Sequence, residues 1–224
     1  MATTIGRRAA ALVAVAALSG YAGAAAQEHA AAVATASAPD TSAADAKFMS
    51  GMIHHHAQAV RIAGWAPTHG ASPAVRTLCE RIVVGQRDEI ALMSRWLRDN
   101  GLPVPTVDTS GAPMAGMSHA SMDHGSMDHA GMDPMAMMPG MLSQAQLAQL
   151  DSARGPEFDR LFLSDMIRHH QGALTMVNQL FGSEGAAQNE TVFRLASDVY
   201  ADQSTEIGRM QRMLLMLPAD GSPQ

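Results

Sequence analysis

The chain has 224 residues with 18 Met and 10 His, but one Cys, five Phe, two Trp and two Tyr. Charged residues make up 16 %, against roughly 25 % in soluble domains, and the formal net charge is −6. One Cys excludes a disulfide framework, a four-Cys zinc site, haem attached through Cys-x-x-Cys-His and a conventional iron–sulfur cluster, and an acidic chain with no basic run excludes nucleic acid as a natural partner.

The N-terminus reads as a secretory signal peptide over residues 1–26. Arg7-Arg8 is followed by an apolar run from Ala9 to Ser19, and Ala24-Ala25-Ala26 offers a small-residue cleavage site near Ala26. Such a run is too short to span a bilayer, so no transmembrane segment is expected after cleavage. The expected location is the periplasm or the exterior. Residues 27–43 are rich in Ala, Ser, Thr and Pro and read as a flexible lead-in.

Four helices follow by apolar periodicity near 3.6. The first, about Ala43 to Ala66, aligns Phe48, Met52, Ala59 and Ile62. The second, about Pro73 to Arg98, aligns Leu78, Ile82, Met93 and Leu97, and Pro73 suits a first helical turn. Residues 101–155 then read as one flexible linker. The third helix, about Pro156 to Phe181, carries Phe158, Phe162, Met166, Ala173 and Val177. The fourth, about Asn189 to Leu217, carries Val192, Leu195, Val199, Met210 and Met213.

These helices form two copies of one unit, 44–100 and 156–217. Phe48-Met49-Ser50-Gly51-Met52-Ile53-His54-His55-His56 matches Phe162-Leu163-Ser164-Asp165-Met166-Ile167-Arg168-His169-His170. Gln86, Glu89, Ile90, Met93 and Leu97 likewise fall on Gln203, Glu206, Ile207, Met210 and Leu214. One hairpin would expose its apolar stripe. Two hairpins packed together give an all-α fold, a four-helix bundle of two αα-hairpin repeats.

Met52, His55 and His56 occupy positions i, i+3 and i+4, as do Met166, His169 and His170, so each trio shares a helix face. On the partner helices Gln86 and Glu89, and Gln203 and Glu206, interrupt apolar stripes that also hold Met93 and Met210. Counting from the turns sets His56 level with residues 84–89 and His170 level with 200–206. Thioether with imidazole is a soft-to-borderline donor set that favours Cu(I) and also accepts Cu(II). It needs no thiolate, which suits an oxidising compartment. The alternative is a polar core in which Glu89 and Glu206 satisfy the imidazoles without metal. His69 lies in a turn and reads as a solvated loop residue. Cys79, matched by Ala196, reads as a small buried hydrophobe.

The linker holds Met117-x-His119, Met122-x-His124 and Met127-x-His129 at a period of five, and nine of the 18 Met lie between Met114 and Met141. Neighbours there are Gly, Ser, Asp and Pro, so burial does not explain the thioethers. A chain of this kind offers capacity for a soft cation rather than one rigid site. Catalytic signatures are missing: there is no Glu-x-x-His pair of the di-iron bundles, no His-Glu-x-x-His, no phosphate loop and no Gly-x-Ser-x-Gly elbow.

The stretch from Phe162 to Ala173, followed by Gln203 to Met210, resembles the domain-of-unknown-function family number 305. Its hallmark is an Asp-Met-Ile-x-His-His-x-x-Ala helix followed by a Gln-x-x-Glu-Ile-x-x-Met helix. The resemblance implies a ferritin-like fold, export, and copper binding linked to copper homeostasis and resistance. The first copy departs from it at Gly51, and at Ile62 where the second copy has Met176. The Met-Asp-His units also resemble the repeats of periplasmic copper-resistance proteins. The expected cargo is copper, with silver as a chemical substitute. The metal-site residues expected are Met52, His55, His56, Met93, Met166, His169, His170, Met176 and Met210 with the six linker residues, supported by Gln86, Glu89, Gln203 and Glu206. The expected role is sequestration or delivery of copper, with a copper-exporting or copper-accepting envelope protein as partner. Two alternatives are a Cu(I) oxidase, which would consume oxygen, and a metal-free structural or interaction module, whose stability copper would not change.

Overall fold

The computed structural model describes residues 41–111 and 138–218. The expected signal peptide, all but the end of the expected lead-in, and Met117, His119, Met122, His124, Met127 and His129 lie outside the described residues. Five helices and no strand occur among the described residues: α1 (Ala43–Ala63), α2 (Pro73–Asp99), α3 (Gln144–Ser152), α4 (Pro156–Phe181) and α5 (Glu190–Met216). The fold is all-α, with one helix more than the periodicity announced.

Local chemistry sets the helix starts. Ser42 accepts from the Asp45 N–H while the Asp45 carboxylate accepts from the Ser42 N–H, a capping box at α1. Ser72 caps α2, whose first residue is Pro73. Asn189 accepts from the N–H groups of Thr191 and Val192 at α5. Before α4, Gly155 adopts φ 56°, a conformation open to glycine, and Pro156 starts the helix.

α1 packs along α2, α4 packs along α5, and α1 also packs against α4. The apolar residues fall into two clusters. One holds Ile62, Trp65, Leu78, Ile82, Phe158, Phe162, Met166 and Met210. The other holds Phe48, Met52, Ile53, Met93, Trp96, Val177, Val192 and Val199. Along every long helix an interval of about one to three turns separates the two, and it contains the His pairs of α1 and α4 and the Gln and Glu of α2 and α5. A polar layer therefore crosses the middle of the apolar core.

Residues 101–155 are not one uniform linker. Leu102, Val104 and Val107 pack on the second cluster, and the Arg87 guanidinium donates to the Thr109 carbonyl at 2.7 Å. At the far end Ser143 caps α3 in a second capping box, and Leu147 and Leu150 bury in the first cluster. Between them, Gln58 on α1 exchanges two hydrogen bonds with the Leu142 backbone, at 2.7 and 3.0 Å.

His69 is also not a solvated turn residue. It is 1 % exposed, its Nε2 lies 3.0 Å from the Asp151 carbonyl, and its ring stacks on Trp65 at 5.7 Å. Its partner stands 82 residues away in sequence, so no local pattern announces the contact. Cys79 is buried as expected, and burial raises its thiol pKa.

Candidate metal centre

The polar layer is built from adjacent turns of four helices. His55 and His56 on α1, and His169 and His170 on α4, are all fully buried. The rings of His55 and His169 lie against each other, tilted by 39°, with centroids 3.8 Å apart. Outside this central pair, His56 Nε2 lies 2.6 Å from the Glu89 carboxylate of α2, and His170 Nε2 lies 2.8 Å from that of Glu206 of α5. The His–Glu pairing on one side of the central pair is matched on the other. The His56–Glu89 and His170–Glu206 meetings are those expected from counting along the helices.

Symmetry breaks at one atom. His55 Nε2 donates to the Pro139 carbonyl at 3.1 Å, whereas neither His169 ring nitrogen makes a hydrogen bond. Pro139 and Gly140 press on α4 at Gly172, where a Cβ would stand 2.0 Å from the Pro139 oxygen. Only a glycine admits the chain this closely. Pro139 lies 84 residues from His55 in sequence, within the stretch expected to be a flexible linker, so no local pattern announces this contact with the histidine layer.

Burial governs the protonation of the central pair. It drives the His55 pKa down to about 3, the charge of His56 adding to the effect and the Pro139 carbonyl opposing it. His169 is pushed in the same direction, again by burial first and then by His55, His170 and His56. Both rings are neutral at pH 7, the form that ligates metals.

The layer holds an unusual store of polar atoms without hydrogen bonds. They include Nδ1 of all four histidines, Nε2 of His169, and both side-chain polar atoms of Gln86 and Gln203. These glutamines are 4 % and 3 % exposed. Leaving such groups unpaired costs about 1–3 kcal/mol each. Glu89 and Glu206 satisfy one nitrogen each and leave the rest. Gln86, Glu89, Gln203 and Glu206 line a cleft of about 230 Å³ between α2 and α5. Asp202 joins them there, its carboxyl pKa raised by burial and by the charges of Glu89 and Glu206.

Met52, Met93, Met166 and Met210 are all fully buried, with Met52 and Met93 in one apolar cluster and Met166 and Met210 in the other. Thioethers thus flank the layer on both sides. Met176 sits elsewhere, in a pocket beside Gly51 at the seam of α1 and α4. Among the described residues no group of three or more His, Cys, Asp or Glu stands in metal-holding geometry. The layer brings imidazoles together, with buried thioethers in the apolar cluster on either side.

An all-α protein of packed helical hairpins with a buried histidine layer is the class that fold and site define. The chain belongs to the family described as domain of unknown function DUF305, whose model matches residues 45–214. A DUF305 fragment from Deinococcus radiodurans is 28 % identical with a TM-score of 0.61, covering 80 % of this chain and all of the fragment. A DUF305 protein from Streptomyces coelicolor is 26 % identical with a TM-score of 0.61, covering 84 % of this chain and all of its own. CopM in its Cu(II)-bound form is 27 % identical with a TM-score of 0.54, covering 76 % of this chain and 95 % of its own. CopM has also been solved with Cu(I) and with silver bound. No curated protein matches the chain.

Proposed function

We propose that this chain is an extracytoplasmic copper-binding protein that takes Cu(I) into the histidine layer for sequestration or delivery. The observation that carries this reading is the set of buried imidazole nitrogens without hydrogen bonds, between two apolar clusters that each present a pair of buried thioethers. His55, His56, His169 and His170 supply the nitrogen donors, and Met52, Met93, Met166 and Met210 the soft flanks. Glu89 and Glu206 orient the outer imidazoles from behind, as the partners of metal-bound histidines commonly do. The kinship with CopM, solved with copper and with silver, supports the same cargo.

Two hairpin repeats closing as a four-helix, ferritin-like bundle account for the near-symmetry of the layer. Export is supported by the N-terminal pattern and by the Streptomyces relative, named as a candidate secreted protein. Among the described residues no helix is long and apolar enough to cross a membrane. Met117, His119, Met122, His124, Met127 and His129 add a low-affinity reserve in this reading, and an envelope copper exporter or acceptor is the natural partner. The role is binding rather than turnover, because thioethers hold copper as Cu(I) and resist its reoxidation.

Titration with Cu(I) against a competing chelator tests the proposal. More than one tightly held ion per chain is expected, and replacing His169 and His170 with Gln removes the tightest class while weaker uptake persists. Only weak, sub-stoichiometric binding by the unaltered protein would overturn it.

A further inference from the structure

The repeat is broken at two positions that meet in space. Gly51 on α1 stands where the second copy has Asp165, which is buried and paired with Arg168. Met176 on α4 stands where the first copy has Ile62. Lacking a side chain, Gly51 leaves room over its Cα. A Cβ added there would lie 3.4 Å from the Met176 methyl and 3.8 Å from the Met138 sulfur. Two thioether tips thus reach one spot on the α1–α4 seam.

Met138 is held in place by the residues that follow it. Pro139 accepts from His55, Gly140 is pressed against α4, and Leu142 is held by two hydrogen bonds to Gln58. Met176 is 9 % exposed and fixed within a helix. Both line a pocket of about 300 Å³. No carboxylate or imidazole lines it, and its one charged residue, Lys47, is exposed. Hard divalent cations gain nothing from such walls, whereas neutral thioethers select soft monovalent ions.

We propose that Met138 and Met176, meeting over Gly51, form a second site for a soft monovalent cation, apart from the histidine layer. An ion there stands one residue along the chain from the carbonyl that holds His55.

Methyl-labelled methionine in the full chain, titrated with Ag(I) and separately with Zn(II), provides the test. The Met138 and Met176 methyl resonances should move with Ag(I) and stay fixed with Zn(II). The double substitution Met138→Leu and Met176→Leu, which conserves volume, should lower bound Ag(I) by one ion per chain while Met52, Met93, Met166 and Met210 still respond. Movement of those four with Met138 and Met176 unmoved overturns this site alone. Movement of Met138 and Met176 with the four core methyls unmoved supports this site and removes the histidine-layer reading. No movement anywhere removes both, and an equal response to Zn(II) overturns the soft-ion selectivity.

Discussion

Glu89 decides which edge of His56 is open. Its carboxylate accepts from Nε2, so Nδ1 is the ring atom left without a hydrogen bond, and Glu206 does the same for His170. Glu89→Gln keeps the shape but weakens this hold on the ring. Cu(I) affinity should fall by about 10–100-fold, the usual effect of losing such a partner, as read by chelator competition; unchanged affinity would remove Glu89 from the site. Protonation of the central pair gives a second prediction. An unfolded imidazole takes up its proton near pH 6.5 (about the model-peptide value), whereas folded His55 does so only near pH 3. Between these values the unfolded chain binds more protons. The stability of the metal-free protein is therefore complete above about pH 6.5 and declines as pH drops through this window, by about 1.4 kcal/mol per pH unit for each such histidine. Urea unfolding at pH 7.5, 6 and 5 measures it, and a flat profile would contradict the burial of His55 and His169. The histidines themselves were legible in the sequence, because their i, i+3, i+4 spacing with Met is local. The Pro139 and Asp151 contacts were not. Each joins a histidine to a backbone group more than 80 residues away, and backbone groups leave no signature in a sequence.

Helices with long apolar stripes declare themselves, since the period needs only the residues of the helix. α4 begins and ends at the expected residues, and the other three long helices differ from expectation by a few at their ends. α3 was hidden because nine residues with two buried leucines make too short a stripe to stand above the surrounding Gln, Ala and Ser. Its hold on the core is tertiary. Leu150→Ala should accordingly cost about 2–5 kcal/mol in equilibrium unfolding, despite lying in what the sequence presents as a linker. A loss below 1 kcal/mol would mean that α3 does not belong to the cooperative core. At the Pro139 crossing, Gly172→Ala sets a methyl against a carbonyl that cannot share its space. The expected outcome is about 1–3 kcal/mol of destabilisation from overpacking, together with a shifted His55 ring signal, since the carbonyl that holds His55 must move. Loss of stability with His55 unmoved would separate the crossing from the histidine layer.

For the whole molecule, the two apolar clusters hold the fold and the layer between them weakens it. A ligand that fills the layer only in the folded state adds stability by mass action, about 4 kcal/mol when its concentration is a thousandfold above Kd. Cu(I) or Ag(I) should therefore raise the thermal midpoint markedly, and Glu89→Gln should blunt the increase. A midpoint indifferent to both ions would favour the metal-free structural role. The placement of the two tryptophans makes such events visible from inside. Trp65 is buried in one cluster with its ring on His69, and Trp96 lies in the other with its indole N–H on Asn189. The chain has no other tryptophan. Each end of the core thus carries its own fluorophore. Single Trp→Phe variants would time the opening of the two ends independently, and so show whether cargo leaves by loosening one end or by melting both together.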